Sequence, residues 1–172
     1  MTLIKLLGVL SIIFSQVSLA QTCYDSDLTA TTPTDRFVQN DNGTVEDSLT
    51  GLMWMRCSIG QTYNSETTSC DNDAKQMTWQ QALQTAQSTD FAEFSDWHVP
   101  DFKQLAGIVE RQCVDPAVNK VLFPNTSPEN YWTNTTSINV GDHAWAYAFY
   151  SGKNNLKSKN ADIYVRLVRY AK

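Results

Sequence analysis

Trp97-His98-Val99-Pro100-Asp101-Phe102-Lys103-Gln104-Leu105 joins an extended segment to a helix near the middle of the 172-residue chain. Trp97 and Val99 alternate with His98, as on a half-buried strand. Pro100 biases Val99 away from helical backbone. Asp101 can then cap a helix, and Gln104 at the third helical position completes a capping box. Phe102, Leu105, Ile108 and Val109 follow at helical spacing, which predicts one apolar helix face running to about Arg111. Strand-like segments lie on both sides, so this joint belongs near the centre of the core.

Upstream of it, Thr78-Trp79-Gln80-Gln81 is a second capping box, opening a helix that buries Trp79, Ala82, Leu83 and Ala86. Arg36-Phe37-Val38-Gln39 and Thr44-Val45-Glu46-Asp47 flank Asn40-Asp41-Asn42-Gly43, a hairpin signal in which Asn42-Gly43 supplies positive φ. Ser48 to Gly51 marks another turn, and Leu52-Met53-Trp54-Met55 reads as an apolar strand. Downstream, Asp115 to Val118 suggests one short turn. Asn130 to Asn134, His143 to Tyr150 and Asp162 to Val168 read as strands, with turns at Gly141-Asp142 and Ser151-Gly152. Strands first, two helices in the middle and strands last give an α+β class, an antiparallel sheet with two packed helices.

The first twenty residues stand apart. Lys5, the short apolar run Leu6 to Phe14 and the small residues Ser18 and Ala20 have the layout of an export signal, residues 1–20. The run is shorter than the ~20 residues of a spanning helix. The mature chain is therefore expected outside the cytoplasm, periplasmic or extracellular, and not inserted in a membrane. Residues 21–35 read as a polar arm and 36–172 as one domain. Four cysteines favour disulfides in an exported chain, and three pairings are possible. Cys57 and Cys70 flank the polar loop Ser58 to Ser69, which a bridge would pin. Cys23–Cys113 would then tie the arm to the end of the central helix. Charge is uneven: residues 21–150 hold 6 Lys/Arg against 17 Asp/Glu, and residues 151–172 hold 6 against 1. So acidic a body lacks the broad basic face of a general nucleic-acid binder.

Five segments resemble a known family. Gly43 to Trp54 matches its opening motif and Trp97-His98-Val99-Pro100 with Gln104-Leu105 its WRLP-type centre. Tyr131 to Thr135 matches a YWSST-type segment, Ala144-Trp145 an AW strand and Tyr164 to Arg169 a closing YVRxVR. Together they resemble the Lcl C-terminal domain family of bacterial exported proteins. That resemblance implies a compact C-type-lectin-like fold. In the collagen-like adhesin that names the family, the domain is linked to binding sulfated polysaccharides and to attachment. This sequence has His98 where the family usually has Arg, and no collagen-like repeat precedes the domain. It also lacks the Glu/Gln-Pro-Asn/Asp and Trp-Asn-Asp triplets by which sugar-binding C-type lectins hold calcium and sugar.

Catalysis is not expected. A nucleophile needs a base within reach, and the only histidines are His98, opposite the buried strand face, and His143, beside Asp142 in a turn. No metal site is expected and no cofactor, although Asp41-Asn42 and Asp71-Asn72-Asp73 are rich enough in oxygen to leave a structural calcium open. Aromatic rings beside amides suit carbohydrate. The candidate ligand-binding residues are therefore Tyr131, Asn134 and Tyr150, with Tyr131 and Tyr150 facing outward by alternation, and the basic Lys153, Lys157 and Lys159. The expected function is an exported binding module for surface attachment through a glycan, including a sulfated polysaccharide, or a surface protein. The alternative is a structural or accessory subunit of a pilus or envelope assembly. Nothing in the sequence fixes an oligomeric state.

Overall fold

The computed structural model describes residues 20–171, so nearly all of the expected export signal lies outside the described residues. In chain order the elements are β1 (Thr22–Cys23), β2 (Phe37–Gln39), β3 (Thr44–Asp47), β4 (Leu52–Met55), β5 (Thr62–Asn64) and β6 (Ser69–Asp71). Helices α1 (Trp79–Gln87) and α2 (Phe102–Ala106) follow, then β7 (Cys113–Val114), β8 (Asn130–Thr136), β9 (His143–Ala148), β10 (Lys153–Ser158) and β11 (Val168–Tyr170). The molecule is thus mostly antiparallel sheet with two helices. A four-stranded sheet has the order β11-β4-β3-β2 and a three-stranded sheet the order β10-β9-β8. Two-stranded ladders join β5 to β6 and β1 to β7.

Strand β4 is buried on both faces, and this divides the interior in two. Leu52 and Trp54 enter one core with Phe37, Leu105, Phe123, Tyr131, Tyr147 and Phe149. Met53 and Met55 enter the other with Ala82, Ala86, Trp97, Trp132, Ala144 and Ala146. Helix α2 serves the first core and α1 the second. Both capping boxes form, at Thr78/Gln81 and at Asp101/Gln104. The joint at Trp97 to Leu105 is central: Trp97, Val99 and Leu105 are buried, and His98 pairs by backbone with Val168.

Two expectations are corrected, and one strand appears where none was expected. Helix α2 ends at Ala106, not near Arg111. Ile108 and Val109 are buried as expected, but Val109 bridges to Val118 and the Glu110 N–H donates to the Ala117 carbonyl, which draws the chain out of helix. The short turn expected at Asp115 to Val118 is present as a tight bend, in which the Val118 N–H donates to the Pro116 carbonyl at 2.9 Å. Lys153–Ser158 is a full strand, because Tyr147, Ala146 and Trp145 of β9 offer a ladder to a polar sequence with little strand propensity of its own. Conversely, residues 162–167 form no continuous ladder. Ile163 bridges to Met77, Tyr164 to Tyr131, and the Leu167 carbonyl accepts from Met55, so successive residues serve different elements.

The cysteines pair as Cys23–Cys113 and Cys57–Cys70. The first fastens β1 to β7. The second closes the β5–β6 hairpin, which lies in the stretch that the sequence alone suggested was loop. Two disulfides fit a domain outside the cytoplasm. No helix among the described residues is long and apolar enough to cross a membrane.

Candidate functional site

Phe123 is sealed into the core, and the chain around it, residues 121–127, carries few backbone partners of its own. Two buried guanidinium groups support this segment, Arg56 at its backbone carbonyls and Arg166 at a side chain. Arg56 donates from Nε to the Leu122 carbonyl at 3.1 Å and from Nη2 to the Val121 carbonyl at 2.8 Å. Arg166 is fully buried and lies over the Phe123 ring, 4.9 Å from its centroid. Its Nη2 donates to the Thr126 hydroxyl at 2.7 Å and to the Ser58 hydroxyl at 3.3 Å. Its Nη1 donates to the carbonyls of Met55 and Arg56. Burial pulls the Arg166 pKa down to about 10.

Tyr131 completes this support. It was expected to face outward, yet it is fully buried. The register places it beside Tyr147, and its ring packs edge-on to Phe149 at 5.0 Å inside the first core. Its hydroxyl accepts from the Ser127 N–H at 3.2 Å and shares a hydrogen bond with the Ser58 hydroxyl at 3.0 Å. Burial pushes the phenol pKa up, so it stays a neutral hydrogen-bonding group. Tyr131 therefore acts behind the loop and not on a ligand.

In front of the loop lies a cleft of about 670 Å³. One wall follows from the β5–β6 hairpin and carries Gln61, Asn72 and Asp73; the other carries Asp115, Lys120, Asn125 and Ser127, and Tyr164 adds a ring. The walls are tied together. The Asn125 Oδ1 accepts from the Cys70 N–H at 3.3 Å, and Gln61 Nε2 donates to the Asn125 carbonyl at 3.3 Å. Asn72, Asp115 and Asn125 adopt left-handed backbone, with φ of 66°, 52° and 53°. Asn and Asp accept this region more readily than other side chains, which explains their use at these corners. The side chains of Asn72, Asp73, Asp115, Lys120 and Ser127 make no side-chain hydrogen bond or ion pair among the described residues, so amide, carboxylate, ammonium and hydroxyl groups are all open to a ligand. The described residues contain no cluster of three or more His, Cys, Asp or Glu suited to a metal ion.

None of the six residues singled out from sequence lines this cleft. Tyr150 is exposed, and its carbonyl accepts from the N–H of the cleft residue Asp115. Asn134 is exposed on β8, where its N–H donates to the Pro100 carbonyl. Lys153 and Lys157 stand opposite Ala148 and Ala144 on one face of β10. Lys159 follows, with Nζ bound to the Gly141 carbonyl at 2.7 Å and lying 4.7 Å from the centre of the Trp79 ring. The cleft residues come from four distant segments, so no local motif announces them; Asn72 and Asp73 were visible only as part of an oxygen-rich run.

A comparison with curated proteins gives no match. The family model described as the Lcl C-terminal domain matches residues 43–169, from the hairpin glycine through the closing strand, and the chain belongs to that family.

Proposed function

We propose that this protein is an exported, non-catalytic binding module that holds a glycan in the cleft between the β5–β6 hairpin and the 115–128 segment. The observation that carries this is the set of open polar side chains there: Asn72, Asp73, Asp115, Lys120 and Ser127 around the Tyr164 ring. Donors, acceptors and one aromatic edge match a polyhydroxylated ring better than an apolar ligand. Asp73 and Asp115 beside a single Lys120 favour a neutral sugar over a sulfated one within the cleft. A C-type-lectin-like fold and a periplasmic or extracellular location belong to the same proposal, supported by family membership and by the two disulfides.

A second reading has its own observation. Strand β10 ends its sheet with an open edge, a place where another chain can add a strand, as in a pilus or envelope assembly. A glycan array run with the wild type and with Asp115→Ala separates the two. Binding to neutral glycans that Asp115→Ala removes is the expected result. Silence across neutral and sulfated glycans would sink the glycan reading and leave the assembly role.

A further inference from the structure

Five tryptophans occur in the chain, and two of them leave the indole N–H without a partner among the described residues. The indole N–H groups of Trp79, Trp97 and Trp132 donate to the carbonyls of Thr133, Phe91 and Met77. Trp54 is sealed in the core with no partner for its N–H. Trp145 is half-buried, and its N–H has no partner among the described residues. It lies edge-on to Phe102, with ring centres 5.4 Å apart, in an apolar groove of about 500 Å³ that Asp101, Lys103 and Thr135 complete.

The hairpin that carries Trp145 also carries the most exposed large apolar side chain described. Ile138, in the turn between β8 and β9, is 99% exposed, and Val140 beside it is 39% exposed. The turn is held from inside. The Ser137 N–H donates to the His143 carbonyl, the His143 N–H to the Val140 carbonyl, and Lys159 binds the Gly141 carbonyl. The carbonyls of Ile138 and Asn139 remain open among the described residues. Asp142, three-quarters exposed, sits at the base of the turn with its Oδ1 bonded to His143 Nδ1 at 2.8 Å, while exposed Lys103 flanks the groove.

We propose that two copies of this chain pair through the β8–β9 hairpin, each inserting Ile138 into the other's groove beside Trp145. Knob and groove belong to one hairpin, with Ile138 only three residues beyond Thr135. A two-fold axis across the hairpin therefore closes both contacts at once, as an isologous interface requires. The chemistry is complementary as well. The open indole donor meets open carbonyl acceptors at the turn, and Asp142, whose Oδ1 stays with His143, offers its Oδ2 to the Lys103 ammonium. This surface is separate from the glycan cleft and does not depend on it.

Sedimentation equilibrium of the mature protein over a wide concentration range tests the pairing. The expected result is a concentration-dependent dimer that Ile138→Asp and Trp145→Ala each weaken about thirtyfold or more. An equimolar mixture of the two variants then dimerises more tightly than either alone, because one copy keeps its knob and the other its groove. A circular dichroism spectrum unchanged by the substitutions shows that both variants are folded. Three results would overturn the proposal: a monomer at every concentration, a dimer indifferent to both substitutions, or a mixture no tighter than its components. A groove that instead takes a glycan, seen as quenching of Trp145 fluorescence by sugar in a monomer, overturns it too.

Discussion

The carboxylate of Glu110 takes both the N–H and the hydroxyl of Thr32 at 2.8 Å, across 78 positions of sequence. Thr31 adds its N–H at 3.0 Å and its hydroxyl at 3.1 Å, and the Gln112 N–H donates at 2.9 Å. A single buried side chain thus clasps the N-terminal arm to the body. Burial by itself would raise the Glu110 pKa, but these hydrogen bonds outweigh it and hold the pKa below the ordinary 4.5. A depressed pKa in the folded state stabilises above the ordinary value, and the contribution is lost as pH falls through the lowered one. Glu110→Gln should therefore destabilise by about 2 kcal/mol near neutral pH and flatten the fall in stability below pH 4.5. Urea unfolding across that range measures both. An unchanged acid slope would mean that the clasp is not what acid breaks.

Arg166 makes a sharper case, since its charge is buried with no carboxylate within ion-pair distance among the described residues. Its Nη groups together serve Met55, Arg56, Ser58 and Thr126. Lysine offers its donors from one point and cannot span these acceptors. Arg166→Lys should cost about 3 kcal/mol, and Arg166→Leu no less, because the acceptors stay buried and unmet. Chemical denaturation decides: a Leu variant as stable as the wild type would mean that the buried charge is a net burden.

The two disulfides should separate by function. Cys57–Cys70 spans 13 positions and Cys23–Cys113 spans 90. Loop closure predicts about 3 kcal/mol lost on replacing the first pair by serine and about 4.5 kcal/mol for the second. The first pair meets the Asn125 part of the cleft directly, through the Cys70 N–H, whereas the second lies beside Asp115 and Pro116. Faster hydrogen exchange at residues 125–127 is expected for Cys57→Ser/Cys70→Ser alone. Equal loosening in both double variants would deny the hairpin its role in holding the cleft.

These contacts also explain which parts of the structure the sequence makes legible. Hairpin turns and capping boxes are written in four adjacent residues, and Asn42-Gly43, Thr78/Gln81 and Asp101/Gln104 all fold as their chemistry dictates. Sites made by distant partners leave no such trace. Glu110 looks like one more surface acid until Thr31 and Thr32 arrive from the arm. Tyr131 alternates as an outward residue would, but both faces of β8 are covered, Tyr131 and Trp132 entering different cores. Lys153–Ser158 has the composition of a loop and becomes a strand only because β9 lies alongside.

Lysines on β10 and groups in the cleft should bind different ligands. Lys153 and Lys157 share a face, well away from Asp115 in sequence and absent from the cleft lining. Replacing Lys153, Lys157 and Lys159 together by Ala should weaken retention on a sulfated polysaccharide and flatten its salt dependence. Neutral-glycan binding should survive. The reverse pattern is expected for Asp115→Ala. A triple variant with unchanged salt dependence would remove any polyanion role from this strand.

Gly43 and Gly51 both have positive φ, +83° and +67°, yet their surroundings differ. A Cβ at Gly51 would meet nothing within 4 Å. At Gly43 it would lie 2.8 Å from the Tyr63 Cβ, 3.0 Å from its Cγ and 3.1 Å from the Phe91 Cζ. Tyr63 cannot yield freely, because its hydroxyl takes Arg56 Nη1 and its ring lies 4.8 Å under the same guanidinium. Gly51→Ala should therefore cost about 1 kcal/mol, the conformational penalty alone. Gly43→Ala adds overpacking and should cost about 3 kcal/mol. Its displacement of Tyr63 should reach Arg56 and, through the carbonyls of Val121 and Leu122, the wall of the cleft. Thermal unfolding gives the two losses, and hydrogen exchange at 121–127 gives the reach. Equal losses for the two glycines would mean that Tyr63 gives way, and the path from hairpin to cleft would then be broken at its first contact.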